Sequence, residues 1–202
     1  MLRTPRLTLR PDDDEGLYEL AALALRGVHP PEEMPFLFPW TDQAPDDLLR
    51  GTVQYHWGAR SRLTASDWNI HFLVRHESQV IGTQRLSAKA FPITGEVSSG
   101  SWLGCAYQRQ GFGTEMRAAV LMLAFDHLRA TTARSGAFTD NPASLRISEK
   151  LGYRTDGVNS YARRGNAATE IRLLLEPSHF VRPEWRLEVD GLDGCRPLLG
   201  AL

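Results

Sequence analysis

Cysteine is scarce. Of 202 residues only Cys105 and Cys195 carry a thiol, which leaves no disulfide framework and no metal-ligand cluster. Neither sign of charge is in excess. With 23 basic and 24 acidic residues the formal net charge is −1, so no bulk field draws nucleic acid or anionic membrane, although a local basic patch stays open. No apolar run approaches membrane-spanning length, and Met1 to Arg10 lacks a secretory apolar region. Internal repeats and low-complexity tracts are missing as well. These absences set the expectation of a protein of the reducing cytoplasm, without metal, nucleic-acid or membrane partners. What is present is ordinary for a globular chain. The 42% hydrophobic and 23% charged content, at this length, suits one domain with a substantial core and room for an appendage.

The most informative stretch runs from Ser98 to Ala130. It reads as a strand ending at Gly100–Leu103, a tight loop Gln108-Arg109-Gln110-Gly111-Phe112-Gly113, and a helix from Thr114 to Arg129. Gly111 and Gly113 permit backbone angles that let successive N–H groups turn around an anion. The helix start behind them adds unpaired donors and the positive end of its dipole. Loop and helix therefore predict a cradle for a phosphate-bearing ligand. A nucleotide P-loop is excluded, because Thr114-Glu115 stands where Lys-Ser/Thr is required. A dinucleotide fingerprint is excluded too: Met116 replaces its third glycine, and the region around Arg134 is basic where an acid is needed.

What is left, Gln-x-x-Gly-x-Gly between a strand and a helix, resembles the acyl-coenzyme-A loop of the GNAT superfamily of N-acyltransferases. A second segment, Phe138 to Tyr153, resembles the family's strand–Asn-x-x-Ser–helix–Leu-Gly-Phe/Tyr unit through Asn141, Ser144 and Leu151-Gly152-Tyr153. The physics of that segment agrees. Asn141 can cap the helix, Pro142 suits its first turn and Gly152 can end it. Thr4 to Arg10 is similar to the T-x-R-L-x-L-R opening of the RimJ/RimL-like branch. The resemblance spans about Thr4 to Leu175. It divides the chain into an acyltransferase domain, 1–175, and a C-terminal extension, 176–202, that packs on its own domain or on a neighbouring subunit. The apolar end Pro197-Leu198-Leu199 leans toward a homo-oligomer contact.

Periodicity fills in the rest. A strand at Thr4–Arg10 precedes a helix from Asp12–Asp14 to about Leu25, with Leu17, Leu20, Ala21 and Ala24 on its apolar face. Gly27 to Ala44 holds four prolines together with Met34, Phe36, Leu37, Phe38 and Trp40. This stiffened aromatic loop either lines an acceptor pocket or plugs the core. Pro45 to Arg62 reads as a second helix, and Asp67 to Ala90 as two antiparallel strands turning at His76-Glu77-Ser78. Phe91 to Glu96 reads as a plain connecting loop. Tyr153–Arg163 and Ala167–Leu175 form a closing hairpin around Arg164-Gly165-Asn166. His56 and His71 read as packing or surface residues. The class is therefore α/β, a mixed and mostly antiparallel central sheet flanked by helices. That its central strands splay to admit the pantetheine arm is implied by the resemblance alone.

The resemblance further implies transfer of an acyl group from coenzyme A to an amine. Acetyl is the family default and succinyl an alternative, with Arg85 a candidate for the succinyl carboxylate. Backbone amides at Gln110, Gly111, Phe112, Gly113 and Thr114 would hold the pyrophosphate, with Gln108 and Arg109 in the same loop. A backbone N–H at Leu103 or Gly104 would polarise the thioester carbonyl. Asn141 and Ser144 would face the pantetheine and the thioester, Ser144 positioning or protonating the sulfur. Some relatives use a tyrosine acid about six residues after the asparagine; here that place holds Ile147 or Ser148. Phe36, Phe38 and Trp40 would wall the acceptor, a protein N-terminus, a lysine or a small amine. The carboxylate that relatives carry four residues before the tryptophan falls at Ser98, so Glu96 is the candidate base, with a water chain as the alternative. A non-catalytic acyl-coenzyme-A sensor is the rival reading.

Overall fold

The computed structural model describes residues 1–201. β1 (Leu2–Arg3) and β2 (Thr8–Pro11) pair antiparallel and lead into α1 (Asp14–Leu25). Asp13 starts α1, its carboxylate accepting the Gly16 N–H at 2.8 Å. α2 (Pro45–Ser61) follows the proline loop and begins with Pro45 and two acids, residues suited to the positive end of a helix. β3 (Asp67–His76) and β4 (Gln79–Lys89) form a long hairpin, whose turn places Glu77 and Ser78 at φ 47° and 70°.

The segment expected to be a plain loop instead forms one helical turn, α3 (Phe91–Thr94). Pro92 suits its start, and Gly95 at φ +59° ends it. β5 (Glu96–Leu103) and α4 (Phe112–Met122) come next. α4 starts two residues earlier than the sequence reading, because Gly111 rather than Gly113 is its cap. It also stops being α-helical at Met122, where a wider π turn over Leu123–His127 takes over. β6 (Thr132–Phe138), α5 (Pro142–Lys150), β7 (Arg154–Arg163) and β8 (Asn166–Leu175) complete the domain. Arg164 and Gly165, both at positive φ, make the two-residue turn between β7 and β8.

All of these strands join one sheet in the order β7-β8-β6-β5-β4-β3-β2-β1, to which a two-residue β9 (Glu188–Val189) adds beside β1. Every neighbouring pair is antiparallel except β5 and β6. That parallel pair is in register only from Glu96↔Thr132 to Ser98↔Arg134. Beyond Ser98 the strands part: β5 stays on β4 as far as Leu103, while β6 stays on β8 as far as Phe138. The sheet therefore forks at its centre.

α1 and α2 cover one face, packing Leu17, Leu20, Leu23 and Val53 against Leu73 and Val80. α4 covers the other, where Met116, Ala119 and Val120 meet Phe72, Val74, Ile81, Leu86 and Val97. Alternate residues of β3 and β4 thus feed two cores, as a pleated strand requires. Residues 176–201 lie against the domain. The Val181 N–H donates to the Leu151 carbonyl at 3.1 Å, Phe180 packs on Phe125 and the Trp68 indole donates to the Leu199 carbonyl at 3.0 Å. Within this extension the strand is confined to β9, which pairs with β1.

Candidate functional site

The loop between β5 and α4 is held by its own side chains. Gln108 donates to the carbonyls of Leu103, at 2.9 Å, and Val28, at 2.7 Å; Gln110 donates to Ala106 at 2.8 Å. Both glutamine amides face into the loop, so their part is to shape it. Arg109 and Gly111 take the left-handed backbone, at φ 61° and 85°. Gly113 does not, contrary to expectation. A Cβ there would stand 2.9 Å from Cδ1 of Ile147, so this glycine lets α4 and α5 approach closely. The Thr114 amide is also spent, donating to the Gly111 carbonyl at 3.1 Å. Among the described residues Phe112 and Gly113 keep free N–H groups at the helix start, the donors an anion needs. Glu115, in the same turn, is buried and caught by Thr4 and Arg6, a stronger tie than the helix dipole alone.

At the fork the two candidate carbonyl binders separate. The Gly104 N–H donates to the Ile81 carbonyl at 3.0 Å, which corrects its place among the thioester contacts. Successive N–H groups along a strand alternate in direction, so those of Leu103 and Ser101 point to the side that β6 has left. The Leu103 N–H therefore faces the fork and the Gly104 N–H does not.

Across the fork, the Asn141 side chain accepts the Ser144 N–H at 3.1 Å and caps α5, with Pro142 in the first turn. The Ser144 hydroxyl is half-buried and has no hydrogen bond within the described residues. One turn on, the buried Ser148 hydroxyl donates to the Ser144 carbonyl at 3.0 Å and receives Nη1 of Arg117 at 2.9 Å. Arg117 was not anticipated. It is buried in the middle of α4, has no carboxylate partner among the described residues, and its Nη2 lies 3.5 Å from Ser101 Oγ. Burial lowers its pKa, with Tyr153 acting the other way. Tyr153, also buried, reaches Ser99 Oγ at 3.5 Å, and burial raises its phenol pKa. The one signal for this cluster was a lone arginine in an otherwise apolar helical run.

On the α1/α2 face, Phe36, Trp40 and Trp102 make an aromatic row, with ring centres 5.2 and 5.6 Å apart. The row joins the proline loop to β5. Phe38 leaves it, 75% exposed, so it walls nothing within this chain. The tip of the β7–β8 hairpin pins the loop: Arg163 donates to the Met34 carbonyl and Arg164 to Asp42. Arg85 lies across from Gly100 and His71 with its Nε buried and unpaired. His71 is buried as well, its pKa lowered to about 3 by burial, then by His56 and Arg85. His56 binds Asp12 at 2.6 Å.

Glu96 does not reach the fork. It begins β5 at the closed end and ion-pairs with Arg134 at 2.7 Å, an arginine that also binds Asp156. Seven residues of strand, about 23 Å, separate it from Leu103. This corrects its candidacy as the base.

A mixed sheet forked between two parallel strands, with a glycine-capped helix at the fork, defines the class as an acetyltransferase fold. A family model described as an acetyltransferase (GNAT) domain matches residues 6–154, and the chain belongs to that family. Solved structures agree on the fold. A Mycobacterium smegmatis RimJ in complex with a coenzyme A disulfide superposes with a TM-score of 0.76 at 14% identity, over 90% of this chain and 88% of that one. RimL, described as a ribosomal L7/L12 alpha-N-protein acetyltransferase in complex with coenzyme A, gives 0.69 at 18% identity, over 86% and 95%. The spermidine/spermine N-acetyltransferase SpeG from Vibrio cholerae gives 0.65 at 16% identity, over 87% and 96%.

Proposed function

We propose that this chain transfers an acetyl group from acetyl-coenzyme A to an amine by direct attack, in the manner of the RimJ/RimL-like branch. One observation carries the reading: β5 and β6 pair for three residues and then part beside the free amides of Phe112 and Gly113. In this account those amides hold the pyrophosphate, with Arg109 exposed beside them. The pantetheine enters the fork past Asn141 and Ser144, and the Leu103 N–H polarises the thioester carbonyl. The acceptor amine arrives on the α1/α2 face along Phe36, Trp40 and Trp102, whose ring faces suit a cation. It is a protein N-terminus, a lysine or a small amine. Its proton passes to water, and orientation in the fork supplies much of the rate.

Succinyl-coenzyme A is the alternative donor, with the unpaired Nε of Arg85 as the group for its carboxylate. The proposal places the protein in the cytoplasm and includes a homo-oligomer. The rival, an acyl-coenzyme-A sensor, is favoured by one specific feature: Ser98 offers no carboxylate and Glu96 is held by Arg134. Thiol release from acetyl-coenzyme A with a panel of amines separates the two. Amine-dependent release supports the transferase; tight binding without release with any amine supports the sensor.

A further inference from the structure

Arg117 is the most unusual charge in the molecule. A guanidinium carries five N–H donors, and taking it out of water costs several kcal/mol unless an anion accompanies it. Among the described residues Arg117 has two hydroxyl partners and no carboxylate, and its Nε is buried without any acceptor. Its place is equally specific. Ser101 lies on β5 two residues before Leu103, on the strand that leaves β6. Ser148 lies on α5 one turn after Ser144. The guanidinium therefore spans the two elements that border the fork. Ser99 and Tyr153 add two more hydroxyls on the same side.

We infer that Arg117 is a catalytic residue of the fork, receiving the negative charge on the coenzyme A sulfur as the acyl group leaves. The inference rests on the transferase reading above. The amine, its ammonium proton already passed to water, forms a C–N bond to the thioester carbonyl carbon, and the nitrogen then loses a second proton to water. The C–S bond then breaks, and its electron pair goes to sulfur. Arg117 stabilises the resulting thiolate until the product leaves and solvent protonates it. A fixed positive charge thus replaces a proton donor, so neither Ile147 nor Ser148 needs to be a tyrosine. The titratable neighbour on the opposing elements is Tyr153, which burial keeps neutral; Arg146, Glu149 and Lys150 on α5 are exposed.

The test is the thiol pKa of free coenzyme A bound to the full chain, read by ultraviolet thiolate absorbance across a pH series. Bound to the wild type, the thiol is expected to titrate about one to three pH units below free coenzyme A. Arg117→Met should abolish that difference and lower kcat at least tenfold, with little change in the KM for acetyl-coenzyme A. Arg117→Lys should retain part of both. The wild-type measurement needs no variant, so it decides even if Arg117→Met fails to fold. Binding with an unshifted thiol, or the same shift in Arg117→Met, overturns this inference alone. Failure of the wild type to bind coenzyme A overturns the transferase reading and the inference with it.

Discussion

Glu115, in the first turn of α4, holds Arg6, in the link between β1 and β2, through contacts of 2.7 Å to Nε and 2.6 Å to Nη2. The Thr4 hydroxyl and the Arg6 N–H complete its shell, at 2.6 and 3.1 Å. Arg6 in turn donates to the Gln110 carbonyl at 3.0 Å and lies over the Phe112 ring. The chain's opening segment thereby braces the anion loop. Glu115→Gln takes the charge from these part-buried hydrogen bonds and is expected to cost about 1 kcal/mol of stability. It should also raise the Kd for coenzyme A. Urea unfolding and calorimetry check both, and an unchanged Kd would mean that the brace does not reach the loop.

Two glycines of one motif are predicted to fail differently. Gly111→Ala meets left-handed strain of about 1–2 kcal/mol and deforms the turn carrying the free amides. Gly113→Ala keeps a helical backbone but pushes on Ile147, an overpacking cost of about 1–3 kcal/mol. Paired Ile147→Val should rescue Gly113→Ala and leave Gly111→Ala unrelieved. Thermal melts of the four proteins decide; equal rescue of both would remove the distinction.

His71 gives the fold an acid sensitivity. Its folded pKa, about 3, lies below the ordinary value of 6.5 because burial and the neighbouring His56 and Arg85 disfavour the cation. The unfolded chain therefore binds the extra proton first. The contribution of neutral His71 is complete above pH 6.5 and is lost as pH falls toward 3, at about 1.4 kcal/mol per pH unit. His71→Phe should flatten the stability profile over that window by one proton. Urea unfolding at several pH values tests it, and a parallel profile would contradict the assignment.

Arg85 sets the donor question apart from the fold. If its buried Nε receives an acyl carboxylate, Arg85→Ala lowers kcat/KM for succinyl-coenzyme A at least tenfold and leaves acetyl-coenzyme A near the wild-type value. Unchanged discrimination between the two thioesters removes Arg85 from donor selection.

Most strands and helices were legible in the sequence because alternation and 3.6-residue spacing report which face is buried, although the strand expected over Thr4–Arg10 is divided into β1 and β2 by a turn. Leu17 and Leu20, read on the apolar face of α1 and found buried together, are a case where the pattern alone suffices. The fork was not legible, because nothing in the local pattern of Ser98–Leu103 says that a neighbour departs after three pairs. The roles of Gly104 and Gly113 were misread for a related reason. One depends on which strand an N–H faces, the other on how near a second helix comes. Glu96 was read as the end of a connecting loop, whereas it begins β5, and the partner that occupies it, Arg134, comes from β6 through a pairing visible only in three dimensions. Arg117 was missed: a charge in a largely apolar helix was its only local signal, and its partners lie on β5 and α5. The binding loop itself was legible because its chemistry is local: Gly111, its backbone angle and the helix start adjoin one another in the chain.

The central claim is that the fork between β5 and β6 receives an acyl-coenzyme A. Titration calorimetry of acetyl-coenzyme A into the purified full chain tests it most directly. The account predicts saturable binding at one site per chain, weakened at least tenfold by Gly111→Ala. Absence of binding to the wild type, or equal affinity in the two proteins, would contradict it.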